Sequence, residues 1–207
     1  MRKNLFIAFE GIDGSGKSTQ VKLLAEKLIS EGHKVYTTCE PTSGPIGKMI
    51  RSVFSGAAKA DHRTIAALFL ADRLEHLTNE VDGLLLKLKQ GYTVITDRYY
   101  FSSYAYHSVH VDMDWVIATN SICADLLRPD LTVYIDISPE VSMQRINAGR
   151  EALELYETEE NLRQVRSLYE MAFNKLKVEE KVFTTAGNRS PEAISESIWA
   201  EVSKRIQ

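Results

Sequence analysis

The chain has little of what would tie it to a metal scaffold, a membrane or a nucleic acid. It holds two cysteines, Cys39 and Cys123, and neither stands in a CxxC or metal-ligand spacing. That excludes a disulfide framework and leaves reduced thiols of a cytosolic protein as the expectation. No apolar run approaches the length that crosses a bilayer. The opening MRKNLFIAF is basic, but its apolar stretch is only five residues long before Glu10. That is too short for the core of a secretory signal, so a cytoplasmic protein with no membrane attachment is expected. Its 25 Lys and Arg are scattered among 28 Asp and Glu, for a formal charge of -3. A nucleic-acid surface needs clustered basic residues, and none is expected here. A small anion is not excluded, because a pocket can be positive inside a mildly acidic protein.

What the chain does have is alternation. Its 207 residues, 44% of them hydrophobic, suffice for one α/β domain with a substantial core, and there is no repeat, low-complexity tract or linker. Five β-rich runs stand out: LFIAFE (5–10), KVYTT (34–38), TVITDR (93–98), LTVYIDI (131–137) and KVFTT (181–185). Between them lie segments of helical period. Val21, Leu24, Ala25 and Leu28 fall at i, i+3, i+4, i+7, with Glu31-Gly32 closing that helix. Leu70, Leu74, Leu77, Val81, Leu84 and Leu88 alternate at spacings of four and three before Gly91, which predicts one long helix over about 61–90. Strands alternating with helices imply βαβ units and a parallel sheet covered on both faces.

The most specific local signal is FEGIDGSGKST, in which Gly11 to Ser18 fits G-x-x-x-x-G-K-[ST] between a strand and a helix. Gly11, Gly14 and Gly16 let the N–H groups of Ile12, Asp13, Ser15 and their neighbours turn around an anion. The helix beginning near Lys17 points its dipole and free N–H groups at the same place. Lys17 supplies a mobile cation, Ser18 a hydroxyl for Mg²⁺, and Thr19 continues the helix start. Such a loop serves GTPases, motors and small kinases alike, so it does not name a reaction.

Further residues suggest an acceptor site. Asp97 and Arg98 end the third strand at the carboxyl edge, where ligands bind in open α/β sheets. Asp97 could join a magnesium shell and Arg98 could grip phosphate through paired donors; a structural Asp–Arg pair is the alternative. Phe69 and Arg73 share a helix face at i, i+4, as do Ser103 and His107, with Tyr99 and Tyr106 close by. His107 and His110 lack a third ligand, so no metal site is read there.

In their order and spacing, FEGIDGSGKSTQ, EPTSGPIGKMIR (40–51), LFLADR (68–73), DRYYFSSYAYH (97–107) and RPDLTVYIDISPEVSMQRI (128–146) resemble the thymidylate kinases, of the P-loop nucleoside monophosphate kinase group. The resemblance covers nearly the whole chain. It implies a three-layer P-loop fold with a five-stranded parallel sheet of order 2-3-1-4-5, a lid near 146–160, a homodimer, and transfer from ATP with Mg²⁺ to dTMP, giving dTDP and ADP for dTTP synthesis. By position it implies that Phe69 stacks on thymine and that Arg73 and Arg98 bind its phosphate, with Arg51 near the same group. It places Asp13 at the sugar 3′-hydroxyl, Glu40 and Pro41 in the acceptor pocket, and Ser103 beside the base. Ala186 and Arg189, in TTAGNRSPEA, would lie near adenine, and Ser190-Pro191 would cap the last helix.

Two departures from that family's pattern stand out. The family usually reads Gln where this chain has His107, and imidazole cannot present an amide's paired donor and acceptor. Some members carry an Arg in the P-loop where this chain has Gly14; the others supply arginine from the lid. The lid segment INAGREALELYETEE is mostly acidic, offers Arg150, and has Leu155 where relatives often have Arg; Arg145 lies just upstream. Arg150 is therefore the expected lid cation. The rival readings are a kinase of another pyrimidine monophosphate or of a deoxynucleoside, and a nucleotide-binding switch without turnover.

Overall fold

The computed structural model describes residues 4–149 and 156–206. Five short strands, β1 (Phe6–Glu10), β2 (Val35–Cys39), β3 (Thr93–Asp97), β4 (Leu131–Asp136) and β5 (Val182–Ala186), form one parallel sheet in the order β2-β3-β1-β4-β5. The register sets Phe9 beside both Asp97, the end of β3, and Val133 of β4; β1 ends one residue later at Glu10, and β4 runs two residues further, to Asp136. Their connecting loops therefore open on one edge, with β1 in the middle.

Two apolar layers follow from the pleat. Leu5, Ile7 and Phe9 face Val21, Leu24 and Leu28 of α1 (Lys17–Ser30) and Ile194, Ile198 and Val202 of α9 (Pro191–Ile206). Phe6 and Ala8 face the other way, into a larger cluster. That second layer is built by α3 (His62–Thr78), α4 (Leu84–Lys89), α5 (Tyr100–Tyr106), α6 (Met113–Leu126) and α8 (Glu159–Leu176). Two further helices, α2 (Pro45–Phe54) and α7 (Pro139–Gly149), lie along the open edge's loops. Caps form where the sequence offers them: Asp61 accepts from the Arg63 N–H, Asp112 from Trp115, Thr158 from Asn161 and Ser190 from Ala193.

The single long helix expected over 61–90 is instead two, α3 and α4, broken at residues 79–83. The leucine period continues through the break, but Asn79 outweighs it. Its backbone turns extended, at φ -53° and ψ 131°, and its side-chain oxygen accepts from the N–H groups of Val81 and Asp82. Gly83 then passes so close that a Cβ there would stand 2.4 Å from the Asn79 carbonyl oxygen. The stripe is also not one surface. Leu77 and Leu84 are fully buried in the chain's own core, while Val81 is 79% exposed. None of the described helices is long and apolar enough to cross a membrane.

That difference is measurable. Leu77→Ala is expected to cost about 2–5 kcal/mol in urea unfolding, whereas Val81→Ala, one helical turn away in the same sequence stripe, stays within about 0.5 kcal/mol.

Candidate active site

The loop between β1 and α1 is shaped by close approach. At Gly11, φ is 144° and a Cβ would sit 2.6 Å from the Ile135 carbonyl oxygen, so no other residue fits without displacing backbone. Gly14 and Gly16 also hold positive φ, and α1 starts after Gly16 with no side-chain cap on its first N–H groups. Uncapped N–H groups at a helix start favour an anion. Lys17 folds back and donates to the carbonyls of Gly11 and Ile12 at 3.0 and 3.1 Å. Burial, with repulsion from Arg98, brings its pKa down to about 8 against the pull of Asp97 and Asp13. From outside, Ser142 of α7 donates to the Asp13 carbonyl at 2.5 Å. Arg145 reaches the carbonyls of Gly14 at 3.1 Å and Gly187 at 2.8 Å.

Asp97, at the tip of β3, accepts from the Ser18 hydroxyl at 2.6 Å. Two hard oxygen groups side by side beside an uncapped helix start fit Mg²⁺, which takes few protein ligands and completes its shell with water and phosphate. The histidines behave differently. His62 and His110 stack with ring centres 3.7 Å apart, but no group of three His, Cys, Asp or Glu able to hold a metal occurs among the described residues.

Arg98 follows Asp97 in the left-handed backbone region, at φ 72°, a conformation that non-glycine residues keep only when their surroundings fix it. The fixing is visible. The Arg98 N–H donates to Phe9, its carbonyl accepts from Thr96, and its guanidinium donates to Asp13 at 2.6 Å and Ser102 at 3.0 Å. Tyr106 adds its ring 4.9 Å from the guanidinium and its hydroxyl 2.8 Å from the other Asp13 oxygen. Burial disfavours the Asp13 carboxylate, yet Arg98 and Lys17 outweigh it and hold the group below its usual range. Below lies Glu10, fully buried, accepting from the N–H groups of Tyr99 and Ser102 and from the hydroxyls of Ser102 and Tyr169. Burial raises the Glu10 pKa.

Two cavities open on this edge. The first, about 610 Å³, runs from Asp13 through Thr19 and Gln20 to Gly187, Arg189, Pro191 and Ile194, with Lys17, Asp97, Arg145 and Glu40 on its walls. The second, about 670 Å³, has walls of Phe54, Phe69, Tyr106 and Tyr156, with Pro41, Arg51, Ser102, Ser103, His107 and Glu157. Asp13 and Arg98 line both. The first suits a polyphosphate with a base at the far end; the second suits an aromatic body whose anionic end meets Arg98.

Not every expected residue lies where the pattern put it. Arg73 is 1% exposed and stands on neither wall. It donates to Glu40 at 2.9 Å, Ser103 at 3.0 Å and Asn120 at 2.5 Å, under a cation–π contact with Tyr99 at 5.4 Å. Glu40 is buried with it and faces the first cavity, not the second. Arg73 and His76 hold the Glu40 carboxyl low against the opposing effect of burial. Ala186 lines neither cavity; the following Gly187 does. Gly11 and Ile12 meet Lys17 through their carbonyls and are not on the cavity wall. Arg51, exposed, donates to the carbonyls of Pro41 at 2.8 Å and Thr42. Arg150 and Leu155 lie outside the described residues, as does the middle of the expected lid.

Gln20, Phe54, Tyr156 and the Asp72–Thr42 pair were not read from sequence as part of the site. Asp72 accepts from the Thr42 N–H and hydroxyl at 2.7 and 2.6 Å and so holds the loop after β2. Gln20 and Phe54 did carry a signal, since each sits three residues along the same helix from a residue already assigned (Lys17, Arg51).

A thymidylate kinase family model matches residues 9–198. A probable thymidylate kinase of Pyrobaculum calidifontis is 42% identical over 166 residues, covering 80% of each chain. A probable thymidylate kinase of Methanococcus aeolicus is 37% identical over 94% of each chain. A thymidylate kinase of Caldicellulosiruptor saccharolyticus is 37% identical over 99% of this chain and 96% of its own.

Lys17 sets a pH dependence. An anion binds its charged form, and the free protein loses that proton as pH rises through about 8. Affinity for a non-hydrolysable nucleoside triphosphate, measured by calorimetry, is expected to be level below that pH and to fall about tenfold per unit above it. Lys17→Met should bind more weakly and show no such slope between pH 7 and 9.

Proposed function

The chain belongs to the thymidylate kinase family, and from that premise we infer that it transfers the γ-phosphoryl group of ATP to dTMP, giving dTDP and ADP. The observation that carries the reading is the shared wall. A phosphate-binding loop and an aromatic pocket meet at Asp13 and Arg98, which line both cavities. Neither the switch reading nor a different acceptor class is favoured by the family match.

In this reading the ATP phosphates lie over α1 against Lys17 and the loop N–H groups, with adenine toward Gly187, Arg189 and Ile194. Thymine lies along Phe69, and the dTMP phosphate meets Arg98 with Arg51 nearby. Arg73 works from beneath, steadying Ser103 and Glu40 without touching the phosphate. Asp13 stays ionised beside Arg98, where it can accept from a sugar hydroxyl. The acceptor phosphate is already an anion near neutral pH, so no side chain has to remove a proton. The protein's part is alignment of the attacking oxygen and stabilisation of charge on the transferred group by Lys17 and Arg98. Ser18 and Asp97 would hold Mg²⁺, which supplies positive charge to the donor phosphates. That charge adds to a wall on which Arg98 and Lys17 already face the carboxylates of Asp13 and Asp97. Arg150, by sequence, is the further cation brought by the lid.

Two unpaired cysteines suit a reducing compartment, which fits a cytoplasmic enzyme. We place a homodimer contact on α6, where Trp115, Ile122 and Leu126 form one exposed apolar face at i, i+7, i+11.

A coupled ADP-release assay with ATP and Mg²⁺ tests the reaction: turnover with dTMP is expected, and ATP binding without turnover would sink it. Arg98→Ala should lower kcat/KM by about 10²–10³. Arg150→Ala should lower kcat well beyond its effect on dTMP binding; equal effects would remove that residue from the lid's role. Sedimentation should give a dimer for the native chain and a monomer for the pair Trp115→Glu, Ile122→Glu.

A further inference from the structure

His107 lines the second cavity, its ring 4.9 Å from that of Phe69. It is 3% exposed, and its Nδ1 is buried without a hydrogen-bond partner among the described residues. Two consequences follow. The imidazole is neutral, because burial and the Arg73 charge bring its pKa down to about 3. A neutral imidazole carries one N–H and one lone pair, and the hydrogen bond at one nitrogen normally decides which the other presents. Among the described residues nothing fixes Nδ1, so none of them sets which role Nε2, the other ring nitrogen, presents to a ligand. Ser103 behaves alike. Its oxygen accepts from Arg73, which leaves a rotatable hydroxyl at the same pocket.

A pyrimidine presents its ring position 3 and its exocyclic position 4 to such a reader. Thymine offers a donor at 3 and an acceptor at 4. Cytosine offers the reverse. Whichever position Nε2 meets, the polarity inverts between the two bases, and an imidazole with no fixed tautomer inverts with it. A reader of set polarity would leave a buried group unpaired with one of the two, which is how polar sites reject a near-isostere.

We propose that His107 reads the base edge without a fixed polarity, so that the enzyme phosphorylates cytosine deoxynucleoside monophosphates as well as dTMP. The step is the same transfer. An oxygen of the dCMP phosphate bonds to the γ-phosphorus as the bond to the β–γ bridging oxygen breaks, giving dCDP and ADP. This rests on the second cavity being the dTMP site. Loss of the methyl contact separates dCMP from dTMP for an unrelated reason, worth up to about a hundredfold. The informative acceptor is therefore 5-methyl-dCMP, which keeps the methyl and changes only positions 3 and 4.

The test measures kcat/KM for dTMP and 5-methyl-dCMP, and records ¹⁵N spectra of the histidine-labelled enzyme with each nucleotide and a non-hydrolysable ATP analogue. His107→Phe identifies the His107 resonances and should raise KM for both nucleotides alike. The expected result is turnover of 5-methyl-dCMP within about tenfold of dTMP, with opposite His107 tautomers in the two complexes. A larger preference for dTMP, one tautomer in both complexes, or an unchanged KM in His107→Phe would overturn the proposal while leaving the dTMP reaction standing. Failure of dTMP itself to turn over would instead remove the premise, and both readings with it.

Discussion

Arg98 and Asp13 meet across 2.6 Å, and in doing so join the loop after β1 to the turn after β3. Much of the edge is arranged around that pair. Arg98 holds an unfavourable backbone to reach it, and the Phe9, Thr96 and Ser102 hydrogen bonds keep it there. Tyr106 covers the pair and binds both partners, so a residue from α5 reports on the geometry of a loop far away in sequence. The pair is only partly exposed, at 16% for Arg98 and 26% for Asp13, so its charges are felt by their neighbours. Burial lowers the Lys17 pKa and the Arg98 charge adds to it, while the same charge, with Lys17, keeps Asp13 ionised against its own burial.

Under this pair lies a second tier of buried polar groups. Glu10 gathers Tyr99, Ser102 and Tyr169, and Glu40 gathers Arg73 and His76. Burying so much charge does not by itself stabilise a fold, since desolvation offsets the attraction. What the tier does is leave each group few alternatives. Ser102 on α5 is committed at once to Arg98, Glu10 and Tyr169. The pocket wall above it is set as a consequence.

The strands, the phosphate loop and the first helix were legible because their causes are local: β-rich runs of five to seven residues, glycines at a fixed spacing, an apolar stripe of period 3.6. Break points and depth were less so. Asn79 ends α3 through bonds to its own successors, which a leucine count does not register. Arg73 shares the Phe69 face, as its spacing requires, but spacing says nothing of how far in a side chain ends. Its partners Glu40, Ser103 and Asn120 lie 33, 30 and 47 residues away, and only the folded chain brings them together. The one-residue slip from Ala186 to Gly187 has the same origin. A strand points alternate residues to opposite sides, and where it ends decides which one faces the cavity.

Asp13 and Arg98 belong to both cavities, so on the proposed placement the two nucleotides share a wall and are coupled through it. A phosphate that draws Arg98 from Asp13 in one cavity leaves an altered wall in the other. Thermodynamic linkage then requires reciprocity: whatever factor the monophosphate imposes on the affinity for the triphosphate, the triphosphate imposes on the monophosphate. The shared wall is what can move that factor away from one, so the strength of the ternary assembly is a property of the pair.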